Sequence, residues 1–208
     1  MAGKRDEQLA RRRDQILRAA AQVFRARGFH VASMAEISTA AGLLSPGTIY
    51  RYFQNKDALI QAVIETQYAH YAADVDALLG APEAFARIFH MDGALLQAIC
   101  TPNEYDPGLE TELEFIRNQR LAEALEKAES GIMERMAAAV RMAQENGLAD
   151  PGLDTESTAL LLFNLIEGLV LDANYRGMRD MERMARTTRT LLRRFLRPEA
   201  VPGEDGRC

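Results

Sequence analysis

Apolar residues return with the period of a helix along almost the whole chain, and no stretch alternates apolar and polar positions between turn residues as a half-buried strand would. The pattern predicts an all-α fold. Ile16, Leu17, Ala20, Val23 and Phe24 share one face of a first helix, and Gly28 stops it because glycine accepts the left-handed backbone just past a helix end. Ser33 and Glu36 have the spacing of a capping box, so a short second helix is expected to start there, bury Met34, Ile37 and Ala41, and end at Gly42. After Leu43 and Leu44 a third helix begins at Ser45, with Pro46 at a first position that needs no N–H. Asn55 caps a fourth, which carries Lys56, Asp57, Leu59, Ile60, Val63 and Ile64 and runs towards Leu79. Further helices are expected near 83–100, 107–128, 130–146, 155–174 and 180–197, with the second and third of these open to fusion through Gly131. The first ten residues and residues 199–208 read as frayed ends.

Helical spacing divides the third helix, Ser45 to Phe53, into two faces. Ile49 and Phe53 share one and are expected to pack on Phe24, Met34 and Ile37. Gly47, Thr48 and Arg51 share the other, with Tyr50 and Tyr52 at the flanks. A residue as small as Gly47 permits close backbone approach, Thr48 bonds either a phosphate or a base edge, and the forked guanidinium of Arg51 suits a guanine. Charge agrees with a polyanion partner at this end. The net charge of −5 conceals an asymmetry: residues 1–56 hold 10 basic against 4 acidic residues, and the remainder 15 against 26.

The segment Met34 to Val63, with its Ala-Gly-apolar turn, Ser-x-Gly-Thr, Tyr-x-Tyr-Phe and Asn-Lys ahead of an apolar helix, resembles the helix-turn-helix of the TetR family of transcriptional regulators; with the preceding helix the resemblance covers about residues 12–65. It implies a DNA-binding domain at 1–56 and a helical ligand-binding and dimerisation domain at 57–198. It also implies double-stranded operator DNA as partner, with Ser33, Ser45, Pro46, Gly47, Thr48, Tyr50, Arg51, Tyr52 and Lys56 at the interface. Tyr50 and Lys56 correspond to phosphate-contacting positions, and the start of the second helix, around Ser33, meets the DNA backbone. One departure stands out: a single apolar residue is expected between Gly42 and Ser45, and two are present, so the turn is expected to be one residue longer. Arg11, Arg12 and Arg13, placed ahead of the first helix, form either an arm for the minor groove or backbone, or a solvated helix start.

The segment Ser157 to Tyr175 is apolar almost all round, and the last helix adds Leu191, Leu192, Phe195 and Leu196. Surplus apolar surface at the end of a chain points to a partner, and the resemblance implies a homodimer through these last two helices. It also implies an unidentified small-molecule effector. Tyr68, Tyr71, Phe85, Phe89, Phe115 and Phe163 are candidate liners for it, with His90, Asn164 and Glu167 as polar anchors, a set suited to an apolar or amphipathic molecule. No cofactor is expected. His30, His70 and His90 share no ligand spacing, Cys100 and Cys208 offer no disulfide framework, and no catalytic motif is visible, so neither a metal site nor an enzyme is expected. The charged N-terminus and the short apolar runs predict a cytoplasmic protein with no membrane segment.

Overall fold

A computed structural model describes residues 2–111 and 119–196. Every regular element among them is helical. They are α1 (Ala2–Arg27), α2 (Met34–Ala40), a 3₁₀ turn (Pro46–Arg51), α3 (Lys56–Leu79), α4 (Pro82–Ala86), a second 3₁₀ turn (Arg87–His90), α5 (Gly93–Cys100), α6 (Gln119–Glu145), α7 (Thr155–Leu171) running into a π turn (Asp172–Arg176), and α8 (Met181–Leu196). The tail read as frayed, 199–208, and Phe115 lie outside the described residues, as do residues 112–118 of the helix expected at 107–128; of the rest, 119–128 are helical as the first part of α6.

Two compact units form. Of the described residues, the first comprises 2–70 with 103–111 and 119–129, the second 71–102 with 130–196. The core of the first gathers Ile16, Ala20 and Phe24 of α1, Ile37 of α2, Ile49 and Phe53, and Leu59, Val63 and Ile64 of α3, all buried. Phe24 meets Phe29 edge to face at 4.8 Å, the arrangement that ring quadrupoles favour. Residues 103–111 close this core from far along the chain. The Tyr105 hydroxyl donates to Asp14, and its ring stacks on His70 at 4.7 Å. Burial, then the bond to the Asp14 carboxylate, pushes the Tyr105 hydroxyl up to about 12. The Phe29 amide donates to Glu110 Oε2 at 2.8 Å, and Arg25 pairs with Asp106 at 3.5 Å.

Three expectations need correction. The first ten residues are not frayed: α1 starts at Ala2, and Arg11, Arg12 and Arg13 lie within it. Residues 4–15 are good helix formers without proline, and Glu7 and Arg11 add an i,i+4 pair, so local propensity extends the helix well ahead of its first buried residue. The helix expected at 83–100 is broken after His90, where Met91 is extended and Asp92 caps α5 by accepting from the Leu95 amide at 2.8 Å. Carbonyls freed at the break are taken up by α8, with Arg193 Nε on Phe89 O at 2.8 Å and Arg189 on Met91 O at 3.2 Å. Third, Ser45 to Phe53 is a 3₁₀ turn over Pro46–Arg51, not an α-helix. Gly131 does not interrupt α6.

In the second unit α5, α7 and α8 surround an apolar cavity of about 30 Å³, lined by Leu78, Ile88, Leu96, Leu162, Ile166 and Leu192 among others, with Thr188 the polar member of the lining. Asp154 caps α7 by accepting from the Ser157 amide at 2.9 Å, and the Ser157 hydroxyl together with that amide holds its carboxyl below the ordinary value.

Candidate nucleic-acid interface

Construction of the site starts at α2. Ser33 Oγ accepts from the Glu36 amide at 3.2 Å, and Glu36 Oε2 accepts from the Ser33 amide at 2.9 Å, so the capping box forms in full. The Ser33 amide, then the Ser33 hydroxyl, which donates to Glu36 Oε2 at 2.9 Å, and the nearby Arg27 guanidinium hold the Glu36 carboxyl below its usual value. At the other end Gly42 takes φ +61°, which glycine adopts without a steric penalty, while Gln15 Nε2 caps the Ala41 carbonyl at 2.9 Å.

The turn absorbs its additional residue by sending two leucines opposite ways. The Leu43 amide donates to Ser38 O at 3.0 Å, and its side chain packs on the core. Leu44 projects wholly into solvent. Buried Ser38 then donates its hydroxyl to Ser45 O at 3.2 Å, which ties the end of the turn back to α2. Ile49 and Phe53 therefore still reach the core, and the two-faced division expected from spacing survives the change from α to 3₁₀.

On the outer side, Ser45, Pro46, Gly47, Tyr50 and Arg51 are exposed and Thr48 is half-buried. Ser45 Oγ and Thr48 Oγ1 are 3.0 Å apart. A Cβ built on Gly47 would meet nothing within 4 Å, so among the described residues nothing requires glycine there, and its smallness has an effect only towards an outside surface. Tyr52 is half-buried and packs on the core. Lys56 is engaged: its ammonium donates to His30 O and Ala32 O, both at 3.0 Å. At most one of its three N–H groups remains for a phosphate, and the two bonds hold the loop that presents Ser33. The Arg13 guanidinium lies over the Phe53 ring at 5.1 Å, so one of the three arginines braces the recognition turn.

The effector candidates are dispersed. Tyr68 packs on the core of the first unit. In the second, Phe89 is buried 6.1 Å from Phe85, and Tyr71 and Phe163 are half-buried. His90, Asn164 and Glu167 are exposed, and Asn164 Nδ2 donates to Leu160 O at 2.9 Å. None of these residues lines the apolar cavity. Among the described residues no group of three His, Cys, Asp or Glu is placed to hold a metal, and no helix is long and apolar enough to cross a membrane.

Spacing along the chain gave no sign of the role of residues 103–110. Tyr105 and Asp106 fell between the expected helices and Glu110 inside the one expected at 107–128, and their partners lie up to 91 residues away.

Residues 16–63 match the family described as bacterial regulatory proteins, tetR family. The HTH-type transcriptional regulator UidR of Escherichia coli K12 is 31% identical over 169 residues, 77% of this chain and 80% of that protein. Among solved structures, Salmonella enterica GusR is 27% identical, with a TM-score of 0.61 over 89% of this chain and 95% of the other. Bacillus subtilis FadR, solved in complex with stearoyl-CoA, shares the fold with a TM-score of 0.66 at 20% identity, over 92% and 98% of the two chains.

Proposed function

The chain belongs to the TetR family of bacterial regulatory proteins, a DNA-binding transcriptional regulator, and from that premise we propose that it is a repressor that binds a palindromic operator as a homodimer and releases it on binding a small molecule. The observation that carries the DNA reading is the recognition turn: Ile49 and Phe53 are locked into the core, and the opposite side offers Gly47, Thr48, Tyr50 and Arg51 to a groove. Ser33 and Lys56 flank it, and Lys56 acts first by positioning the loop before α2. Function divides near residue 56, although residues 57–70 and 103–111 group with the DNA-binding part.

The dimer face is supported by large apolar side chains that one subunit leaves in solvent: Leu160 at 50%, Leu161 at 55% and Leu191 at 47% exposure. Leu169 and Leu192 are buried within the subunit and belong to its own core. For the effector, the cavity under α7 and α8 is apolar but far below the roughly 300 Å³ of a small-ligand site, so binding must open it. An aliphatic molecule suits that lining, as does the acyl chain of the ligand in the FadR structure. Binding, not catalysis, is the activity assigned, and a bacterial DNA-binding regulator works in the cytoplasm.

An electrophoretic shift assay with the DNA upstream of the protein's own coding region tests the proposal. A discrete complex that survives scrambled competitor and weakens for Tyr50→Ala is expected. Equal competition by scrambled duplex would reject an operator there.

A further inference from the structure

Leu44 is more exposed than any other large apolar residue described, at 102%. Its backbone is pinned between two anchors, the Leu43 amide on Ser38 O at 3.0 Å and the Ser38 hydroxyl on Ser45 O at 3.2 Å. Leu43 supplies the contact of this turn with the core, and Leu44 at 102% exposure packs on none of the described residues. A polar residue would close the same turn without holding a whole leucine in water. Leu44 also stands immediately before Ser45, the cap of the recognition turn. In helix-turn-helix docking the N-terminal end of the recognition element goes to the base edges, and the apolar feature on the major-groove floor is the 5-methyl group of thymine. Gly47, open on its outer side, lets this end approach closely.

We propose that Leu44 reads a thymine by apolar contact with its 5-methyl group, one contact in each half-site. The proposal rests on the recognition turn entering the major groove, and it adds a sequence-reading residue to Thr48 and Arg51. The competing occupant, the sugar-phosphate backbone, predicts loss of affinity without regard to sequence.

The test uses the full-length protein and a duplex that it selects from a random-sequence library. Each thymine of the selected duplex is replaced in turn by deoxyuridine, which removes only the methyl group. For the wild type, one position per half-site is expected to weaken binding about fourfold, the equivalent of one buried methylene, and about fifteenfold when both half-sites are changed. Leu44→Ala should weaken binding to the unmodified duplex by a similar factor, become indifferent to the same replacement, and leave binding to scrambled duplex unchanged. Leu44→Met should restore the response to the methyl group. An unchanged thermal transition for Leu44→Ala is expected for a side chain that touches nothing.

The proposal is overturned if Leu44→Ala keeps the full response to deoxyuridine, if no thymine is sensitive in the wild type, or if scrambled and selected duplexes weaken alike. Failure of the parent reading looks different: no sequence is enriched from the library, or Tyr50→Ala and Arg51→Ala both bind as the wild type does.

Discussion

The recognition turn and the outer sides of α7 and α8 are both exposed, yet they are exposed in opposite senses. Around the turn, the apolar side chains with a core to reach have reached it, and what remains outside is small, polar or aromatic with a hydroxyl, apart from Leu44. On α7 and α8 Leu162, Leu169, Leu192 and Leu196 are buried in the core, but Leu160, Leu161 and Leu191 are left over. The first surface is finished within one subunit and offers hydrogen bonds to a charged partner. The second is unfinished and offers area to an apolar one. Exposure by itself therefore identifies no partner; the chemistry of the exposed atoms does.

If the first unit is self-sufficient, its core should fail alone. Phe24→Ala is expected to cost about 3–5 kcal/mol, seen as an early phase in denaturant unfolding with loss of DNA binding, while light scattering still reports the dimer. If the second surface is unfinished, Leu161→Glu with Leu191→Glu should halve the mass by light scattering and weaken operator binding about a hundredfold, since two linked half-site contacts become one. A dimeric mass for that double variant would move the interface elsewhere. Leu192→Glu, by contrast, should unfold the second unit, because that side chain is buried within one subunit.

Smaller effects sharpen the account of the polar surface. Arg51→Ala should cost about 1–3 kcal/mol against the preferred base at one position and little against scrambled duplex, read by fluorescence titration. Equal losses on both duplexes would move Arg51 to the backbone. Lys56→Ala should lower the stability of the first unit by about 1.5 kcal/mol through its two carbonyl bonds and reduce the log–log salt slope of binding by about 0.9 if its third N–H meets a phosphate. The smallest effect belongs to the capping box. Glu36 has a folded-state pKa below its unfolded one, so its contribution is present above the ordinary carboxylate range, near 4.3, and is lost as pH falls through the folded value. Ser33→Ala should cost about 1 kcal/mol at neutral pH, and Glu36→Gln should flatten the acid side of a stability–pH profile.

The features legible in the chain are those whose physics is local. A capping box closes over three residues, a helix face repeats every 3.6, and Pro46 and Gly42 act through their own backbone angles, so Ser33, Glu36, the Ile49–Phe53 face and the recognition segment could be read in advance. The start of α1 was local as well: its propensity was present in residues 4–15, of which those up to residue 10 were expected to fray.

Everything that depends on what lies opposite was left to the tertiary structure. Lys56 carries the same charge in either role, and only the position of His30 O and Ala32 O turns it inward. Leucines at 160, 161, 169, 191 and 192 are chemically identical, and only the packing of α5, α7 and α8 decides which are core and which stay exposed. Leu43 and Leu44 were likewise interchangeable as letters until one found the core and the other found water. Backbone hydrogen bonds are satisfied within a few residues and leave a periodic trace; burial is a relation between distant segments and leaves none.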